Sequence, residues 1–390
     1  MLTMTERIVL TKTIKDRYRK AAKKRKSAIL TEFCDSTGYN RSYARRVLGC
    51  AKKSGRPSHY GPRKRPYDYD VFLVLRKLWV IADGICGQRL APYIPELVRV
   101  LEEKKELRIP GRLRKKVMHI SASTINRMLK ATRKQYHLRG KSTTKPGTLL
   151  RSSVTVRTFD DWDDVTPGFF ETDLVAFCGD SVRGEYINGL NLTDVATGWI
   201  VLDAVMGKGQ YRVHQAIDCA RTRLFFPLRG LDPDNGTEFI NWLLKRYCDT
   251  NHITFTRIRP NRKNDNCYVE QKNYTVLRRF LGYARFDTEE QLMLIKKLIP
   301  LVELYVNFFQ PVMKLTEKHR VGATVKKRYD IAKTPYQRVL NSEVLTEENK
   351  TRIQDVYSTL NPVDLKRKIN WLTVKLNRTL RYIIRDSTNT

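Results

Sequence analysis

The stretch from Asp234 to Glu270 constrains this chain more than any other. It opens on LDPDNGTEFINW (residues 231–242), where an apolar run ends at Asp234-Asn235-Gly236 and a helical pattern starts at Glu238. It closes on KNDNCYVEQKN (263–273), where turn-forming residues hand over to a second helical pattern that carries Glu270; thirty-five residues lie between the two carboxylates. An aspartate at a strand end followed at that interval by a glutamate on a helix, with a further strand aspartate upstream, Asp173, suggests two-metal phosphoryl-transfer chemistry.

The surrounding pattern tells how such pieces would meet. GFFETDLVAFCG (168–179), GEYINGLNLTDVATG (184–198) and WIVLDAVMG (199–207) are β-rich runs separated by glycine-containing turns, which predicts a three-stranded antiparallel meander. Val213, Ile217, Ala220 and Leu224 recur at helical spacing in YRVHQAIDCARTRL (211–224). A short strand to Asp234, a helix over 238–249, a strand over 252–258 and a helix from about 265 to 282 complete the order βββαβαβα. That order belongs to the ribonuclease-H-like α/β fold, a mixed five-stranded sheet with its first and fourth strands side by side at the centre and the last helix across them. It would place Asp173, mid-way in the first strand, beside Asp234 at the end of the fourth, with Glu270 reaching the same point from the side.

Alternatives exist for each acid. A charge inside FFETDLVAF is costly unless paired or metal-bound, so Asp173 either holds a cation or pairs with one of the many arginines. Asp232 shares a strand face with Asp234 and is the rival ligand, although the Asp-Asn-Gly turn favours Asp234. Glu270 alone reads as a solvated helix residue; its spacing from Asp234 singles it out. Glu171, Asp194 and Glu238 read as structural or supporting residues, and His214 and His252 as capping or surface residues. With hard oxygen ligands and no His/Cys set at ligand spacing, the cation expected is Mg2+, as two ions, with Mn2+ able to substitute.

Charge separates this core from the rest of the chain. Lys plus Arg total 74 against 40 Asp plus Glu, a net charge of +34 with pI near 10.0, which favours a polyanionic partner. Residues 1–150 hold 37 basic and 11 acidic residues and 291–390 hold 19 and 9, whereas 151–290 hold 18 and 20. The ends suit phosphate; the middle concentrates acids. Seven scattered cysteines without a Cys-x-x-Cys pair read as buried thiols of a reducing compartment. The start lacks a signal-peptide pattern and no run has membrane-spanning length, so a cytoplasmic, nucleoid-associated bacterial protein with no membrane partner is expected.

In KSAILTEFCDSTGYNRSYARRVLGC (26–50), a helix burying Ile29, Leu30 and Phe33 breaks at Gly38, and Asn40 caps a second that buries Tyr43, Ala44 and Val47. Displaying Arg41, Arg45 and Arg46, this matches a helix-turn-helix whose second helix enters the major groove; it also fits an ordinary helical hairpin with a solvated basic face. A second helical group follows, with helices over 71–82, 93–107 and 119–136, the last starting Ser-x-Ser-Thr and exposing Arg127 and Lys130. The division expected is a helix-turn-helix unit (1–55), a second helical DNA-binding unit (56–135), a linker with a short strand (136–164), the catalytic core (165–290) and a basic C-terminal region of small β and α elements (291–390).

ETDLVAFCG, LNLTDVATGW, LDPDNGTEFIN and RPNRKNDNCYVEQKNYTVLRRFLGY resemble the integrase core of DDE transposases of bacterial insertion sequences, over roughly residues 165–310. NFFQPVMKL and KKRYDIAKTPYQRVL resemble segments that follow the core in such transposases. The resemblance implies Asp173, Asp234 and Glu270 as the metal-binding triad. It implies element ends and target as double-stranded DNA partners, and a homo-oligomer, dimer or higher, that pairs two ends. A basic residue about two helical turns after the glutamate is typical; position 277 is Leu, which leaves Arg278 or Lys272 to contact DNA. The activity implied is 3′-end nicking and strand transfer. A DNA-binding regulator, or a structure-specific nuclease on the same fold, is the alternative.

Overall fold

A computed structural model describes residues 2–49, 67–134, 155–157, 166–234, 236–258, 267–321 and 324–386. The chain divides into two compact units, Met1–Pro66 and Tyr67–Thr390.

The first unit is three helices, α1 (Met4–Lys20), α2 (Lys23–Thr37) and α3 (Arg41–Gly49). Thr3 and Glu6 form a capping box on α1, and α2 stops at Gly38, whose φ of 69° lets its N–H close back on the Cys34 carbonyl. Ile14, Tyr18, Ile29, Leu30, Phe33, Ala44 and Leu48 form the core. The inward phase of α3 differs from the expectation of Tyr43, Ala44 and Val47. Ala44 and Leu48 point in, one helical turn apart, while Tyr43 is 42% exposed, packs edge-on against Tyr39 and carries the Arg46 guanidinium.

The second unit opens with α4 (Tyr69–Ile81), α5 (Gly87–Glu103), α6 (Gly111–Met118), α7 (Ala122–Met128) and α8 (Lys130–Lys134). Three differences from the expected helices stand out. α5 begins at Gly87 and runs through Pro92 and Pro95, because the buried stripe Leu90, Ile94, Leu97, Val98 and Leu101 outweighs the lost backbone bonds. α6 lies where no element was expected. The helix over 119–136 is capped by Ser121, which accepts from the Thr124 N–H, but breaks at Leu129.

The sheet follows: β1 (Thr155–Arg157), β2 (Phe169–Ala176), β3 (Ile187–Asp194), β4 (Ile200–Met206), α9 (Gln210–Thr222), β5 (Gly230–Pro233), α10 (Trp242–Thr250) and β6 (Thr254–Ile258). Its order is β1-β6-β5-β2-β3-β4; β2, β3 and β4 form an antiparallel meander, and β5, β6 and β1 run parallel to β2. This is the ribonuclease-H-like arrangement, with the five expected strands in place and short β1 added at one edge. α10 starts at Trp242 rather than 238, because Thr237–Phe239 form a turn and Asn241 supplies the cap, accepting from the Leu244 N–H at 2.9 Å.

α11 (Cys267–Lys272) continues into a π-helical turn, Asn273–Arg278, and α12 (Arg279–Leu281). Then come α13 (Glu289–Phe309), a two-stranded ribbon β7 (Leu315–Val321) and β8 (Thr324–Tyr329), α14 (Pro335–Leu340), α15 (Glu347–Thr359) and α16 (Pro362–Asp386). α13 covers the β4 edge of the sheet. Asn307 exchanges hydrogen bonds with both the N–H and the C=O of Ile200, and Glu303 Oε1 accepts from the Leu202 N–H at 2.6 Å, so the unpaired strand edge is satisfied by side chains. Leu365, Ile369, Leu372 and Leu376 of α16 join the same core as the sheet. Among the described residues no helix is long and apolar enough to cross a membrane. The thiols are less buried than expected: Cys178 and Cys248 are buried, Cys34 and Cys86 partly so, and Cys219 is exposed.

Candidate carboxylate site

Strand register brings the acids together. β2 and β5 pair Glu171 with Asp232 and Thr172 with Pro233, and the Asp234 N–H donates to the Thr172 carbonyl at 3.3 Å, so Asp234 emerges beside Asp173. Burial pushes the Asp173 carboxyl up to about 8, with Asp234 and Glu270 adding to the rise; hydrogen bonds from the Leu174 N–H and from Asn273 oppose it. Asp234 is pushed up to about 6, by burial first and then by Glu238, against a hydrogen bond from the Gly236 N–H and the charge of Lys208. Glu270 sits on α11 with its side chain exposed, close enough to act on Asp173 electrostatically. Among the described residues no three His, Cys, Asp or Glu side chains form a group that could hold a metal ion. The two strand aspartates nevertheless suit a hard cation: they are neighbouring oxygen donors whose charges burial and proximity both disfavour.

Beneath this pair lies a second tier, made of the rival ligand Asp232 and of Glu171, which reads in the sequence as a structural or supporting residue. Strand alternation puts Glu171 and Asp232 on the same sheet face as Asp173 and Asp234, one step deeper, and both are fully buried. Glu171 Oε2 accepts from the Val269 N–H at 2.7 Å, and Thr256 donates to Asp232 at 2.7 Å. Desolvation, then the Asp232 charge among the raising influences, holds the Glu171 carboxyl well above the usual range. Lys314 approaches the same tier; its ammonium donates to the Val195 carbonyl and lies 4.5 Å from the Tyr268 ring centre. Burial lowers Lys314 to about 8.

A pair of asparagines ties α11 to the sheet above that tier. Asn191, opposite Asp173 on β3, donates to Asn273 Oδ1 at 2.8 Å, and Asn273 donates to Asp173 Oδ2 at 2.7 Å. Asn191 also reaches the Val269 carbonyl at 3.4 Å. The signal available in the sequence was Asn191 itself, a polar side chain in the otherwise apolar LNL of a central strand. Asp194 has the structural role expected, accepting from the Gly168 and Thr197 backbone and the Thr197 hydroxyl to pin the β3–β4 turn. Glu238 is ion-paired with Lys208 at 3.6 Å beside Asp234. His252 is exposed after α10, and His214 packs edge-on against Tyr247.

The basic candidates fall in two settings. Arg45, Arg46, Arg127 and Lys130 are exposed on their helices, and Arg41 is exposed while donating to Thr31 and Ser27. Lys272 is buried, and burial followed by the charges of Arg89 and Lys314 lowers it to about 7. Arg278 donates to the Ala176 and Gly282 carbonyls and lies over the rings of Phe177 and Tyr283. Leu277, within the π-helical turn, is 2% exposed against the sheet.

No protein-family model matches the chain. An uncharacterized protein, y4rM, of Sinorhizobium fredii (strain NBRC 101917 / NGR234) is 39% identical over 337 residues, covering 84% of this chain and 93% of that protein. The chain belongs to the y4rM family. Among solved structures, the catalytic core domain of BIV integrase is similar with 16% identity and a TM-score of 0.31, over 45% of this chain and 95% of that one. The HTLV-2 integrase catalytic core domain, in complex with magnesium, is similar with 16% identity and a TM-score of 0.29, over 37% and 90%.

Proposed function

We propose that this chain is a transposase, a divalent-metal-dependent polynucleotidyl transferase that nicks the ends of its mobile element and joins them to target DNA. The observation that carries the reading is the placement of Asp173 and Asp234 side by side on adjacent central strands, both shifted upward by burial, with Glu270 acting on Asp173 from α11. Asp173, Asp234 and Glu270 would hold two Mg2+ ions, or Mn2+ in their place, which supply activation of the attacking oxygen and relief of charge at the phosphodiester.

The chain's own residues do the rest. Asn273 orients the Asp173 carboxylate by donating to Oδ2, and the Gly236 N–H does the same for Asp234 Oδ1. The reaction is hydrolysis at the element ends, freeing 3′-hydroxyls, then in-line attack of each hydroxyl on a target phosphodiester. Arg41, Arg45, Arg46, Arg127 and Lys130, all exposed, would meet the phosphates and base edges of the ends. Lys272 and Arg278 are enclosed and would reach DNA only after local rearrangement around α11. Two ends must be paired, so a homo-oligomer is the working form.

Incubating the protein with Mg2+, a donor end and a plasmid target tests this directly. Joined products are expected for the native chain and none for Asp234→Asn, with end binding retained in the variant. Mg2+-dependent joining that survives Asp234→Asn overturns the assignment. Nicks without joining would support a nuclease, and a mobility shift alone a regulator.

A further inference from the structure

Lys272 is a cation without a counter-charge. It is 7% exposed, and among the described residues its ammonium has neither a hydrogen bond nor an ion pair. The charges that act on it there are those of two further cations, Arg89 and Lys314. A buried charge is costly unless paired, and like charges beside it add to the cost. The acids of the carboxylate site meet α11 through Val269 and Asn273, on the sheet side. Lys272 shares instead the side of Tyr268, one helical turn earlier.

Three elements meet there. Lys314 lies 4.5 Å from the Tyr268 ring centre, which sets the segment from Gln310 to Lys314 against this side of α11. Arg89, in the first turn of α5, donates from Nε to the Pro311 carbonyl at 2.5 Å, so α5 begins against the same segment. Beyond Lys272, Phe280 packs edge-on against Tyr305, whose hydroxyl donates to the Ile81 carbonyl, and this holds the helical run along the α4–α5 connection. Lys314 gives a hydrogen bond to the Val195 carbonyl, as Arg89 does to Pro311; both heads are fixed by neutral acceptors. Asp83 acts on Arg89, and Asp194 and Glu171 act on Lys314, whereas no acid acts on Lys272 among the described residues. The two terminal nitrogens of Arg89 carry no hydrogen bond among those residues. Arg89 and Lys314 are partly exposed, so the cluster opens to solvent at its rim.

We propose that Arg89, Lys272 and Lys314 form a phosphate-binding site, which holds one phosphate ion or one terminal phosphate monoester between α5, α11 and the 310–314 segment. A guanidinium and two ammonium groups arriving from three elements suit a tetrahedral dianion, the arginine through its paired N–H groups. The phosphodiesters of a duplex are too encumbered to reach enclosed Lys272 without moving α11; a free or terminal phosphate enters through the rim. The site needs neither the carboxylate chemistry nor the transposase reading, so each can fail without the other.

Thermal melting of the full chain in sodium phosphate, against sodium chloride of equal ionic strength, tests the site. Phosphate at a hundred times its dissociation constant should raise the native melting temperature by about 5 °C. Lys272→Met removes the unpaired cation at similar length; it should melt no lower than the native chain in chloride and lose most of the phosphate rise. Arg89→Gln, which keeps a donor for the Pro311 carbonyl, should weaken phosphate by about tenfold or more, and it serves if Lys272→Met folds poorly. A native rise no larger than that of the variants overturns the site. So does a Lys272→Met chain that melts lower in chloride yet keeps the phosphate rise. Fluorescence anisotropy with one duplex bearing either a 5′-phosphate or a 5′-hydroxyl then separates the two sources. Binding about tenfold tighter to the phosphorylated duplex, abolished by inorganic phosphate and by Lys272→Met, assigns a DNA terminus. Equal binding of the two duplexes, with the melting rise present, assigns the free ion.

Discussion

The Glu171 carboxylate on β2 accepts a hydrogen bond from the Val269 N–H at 2.7 Å, one residue before Glu270. Val269 lies in the first turn of α11, where backbone N–H groups have no partner inside the helix. The sheet thus caps the helix that presents Glu270, a role local sequence cannot supply because the cap is 98 residues away. Glu171→Ala should destabilise the protein by about 1–3 kcal/mol by leaving that buried N–H unpaired. Glu171→Gln, which keeps an acceptor, should recover most of it, as measured by urea denaturation. Equal losses in the two variants would show that the cap contributes little.

Neighbouring buried carboxylates predict a stabilising response to divalent cations. Mg2+ or Mn2+ should raise the melting temperature of the native chain, by the equivalent of about 2.7 kcal/mol at a hundred times the dissociation constant. Asp173→Asn and Asp234→Asn should each abolish most of the rise. Differential scanning fluorimetry across a cation titration reads this, and a rise that persists in both variants would place the cation elsewhere.

Glu303 gives stability a pH dependence away from the candidate site. Burial pushes its carboxyl up to about 7 from an ordinary 4.5, with Arg223 and the Leu202 N–H opposing. Between those values the folded chain keeps a proton that the unfolded chain has lost, so the contribution is fully present below about 4.5 and is lost as pH rises through about 7. The loss is on the order of 3 kcal/mol. Glu303→Gln keeps the acceptor for Leu202 and should flatten this part of the stability curve, raising stability at pH 8 relative to the native chain. Denaturation midpoints at pH 5 and 8 for both proteins decide it.

Gly230 tests the central strand pair. A methyl group there would fall 2.0 Å from a ring carbon of Phe169, its register partner on β2. Gly230→Ala should cost about 1–3 kcal/mol through overpacking, whereas Gly209→Ala, with open space around it, should cost far less. Chemical denaturation of the two variants compares them.

The sheet was legible because alternation and glycine turns report strands directly, and the topology then followed from the order of elements. Asp173 and Asp234 stood out for the same reason: an acid in an apolar strand and an acid at a strand end are local signals. The partners of the supporting tier were not legible. Glu171 is an acid like many others until the parallel register sets Asp232 beside it and α11 above it. The same holds for Asn273, whose partner Asp173 is 100 residues away. α6 escaped because half of its GRLRKKVM is basic and only Leu113 and Val117 are buried, too few apolar residues for a periodic signal. The inward phase of α3 depended on which residues α1 and α2 offered, and that too is tertiary.

The π-helical turn at Asn273–Arg278 adds about one residue to a helical repeat. In a regular helix position 277 would share the side of Glu270; with the inserted residue, that side passes to 278 and Leu277 swings into the core, where it is 2% exposed. The leucine at 277 is thus a core residue of the π-helical turn. Residues beyond Glu270 keep the side of an uninterrupted helix only after the count is shifted by one.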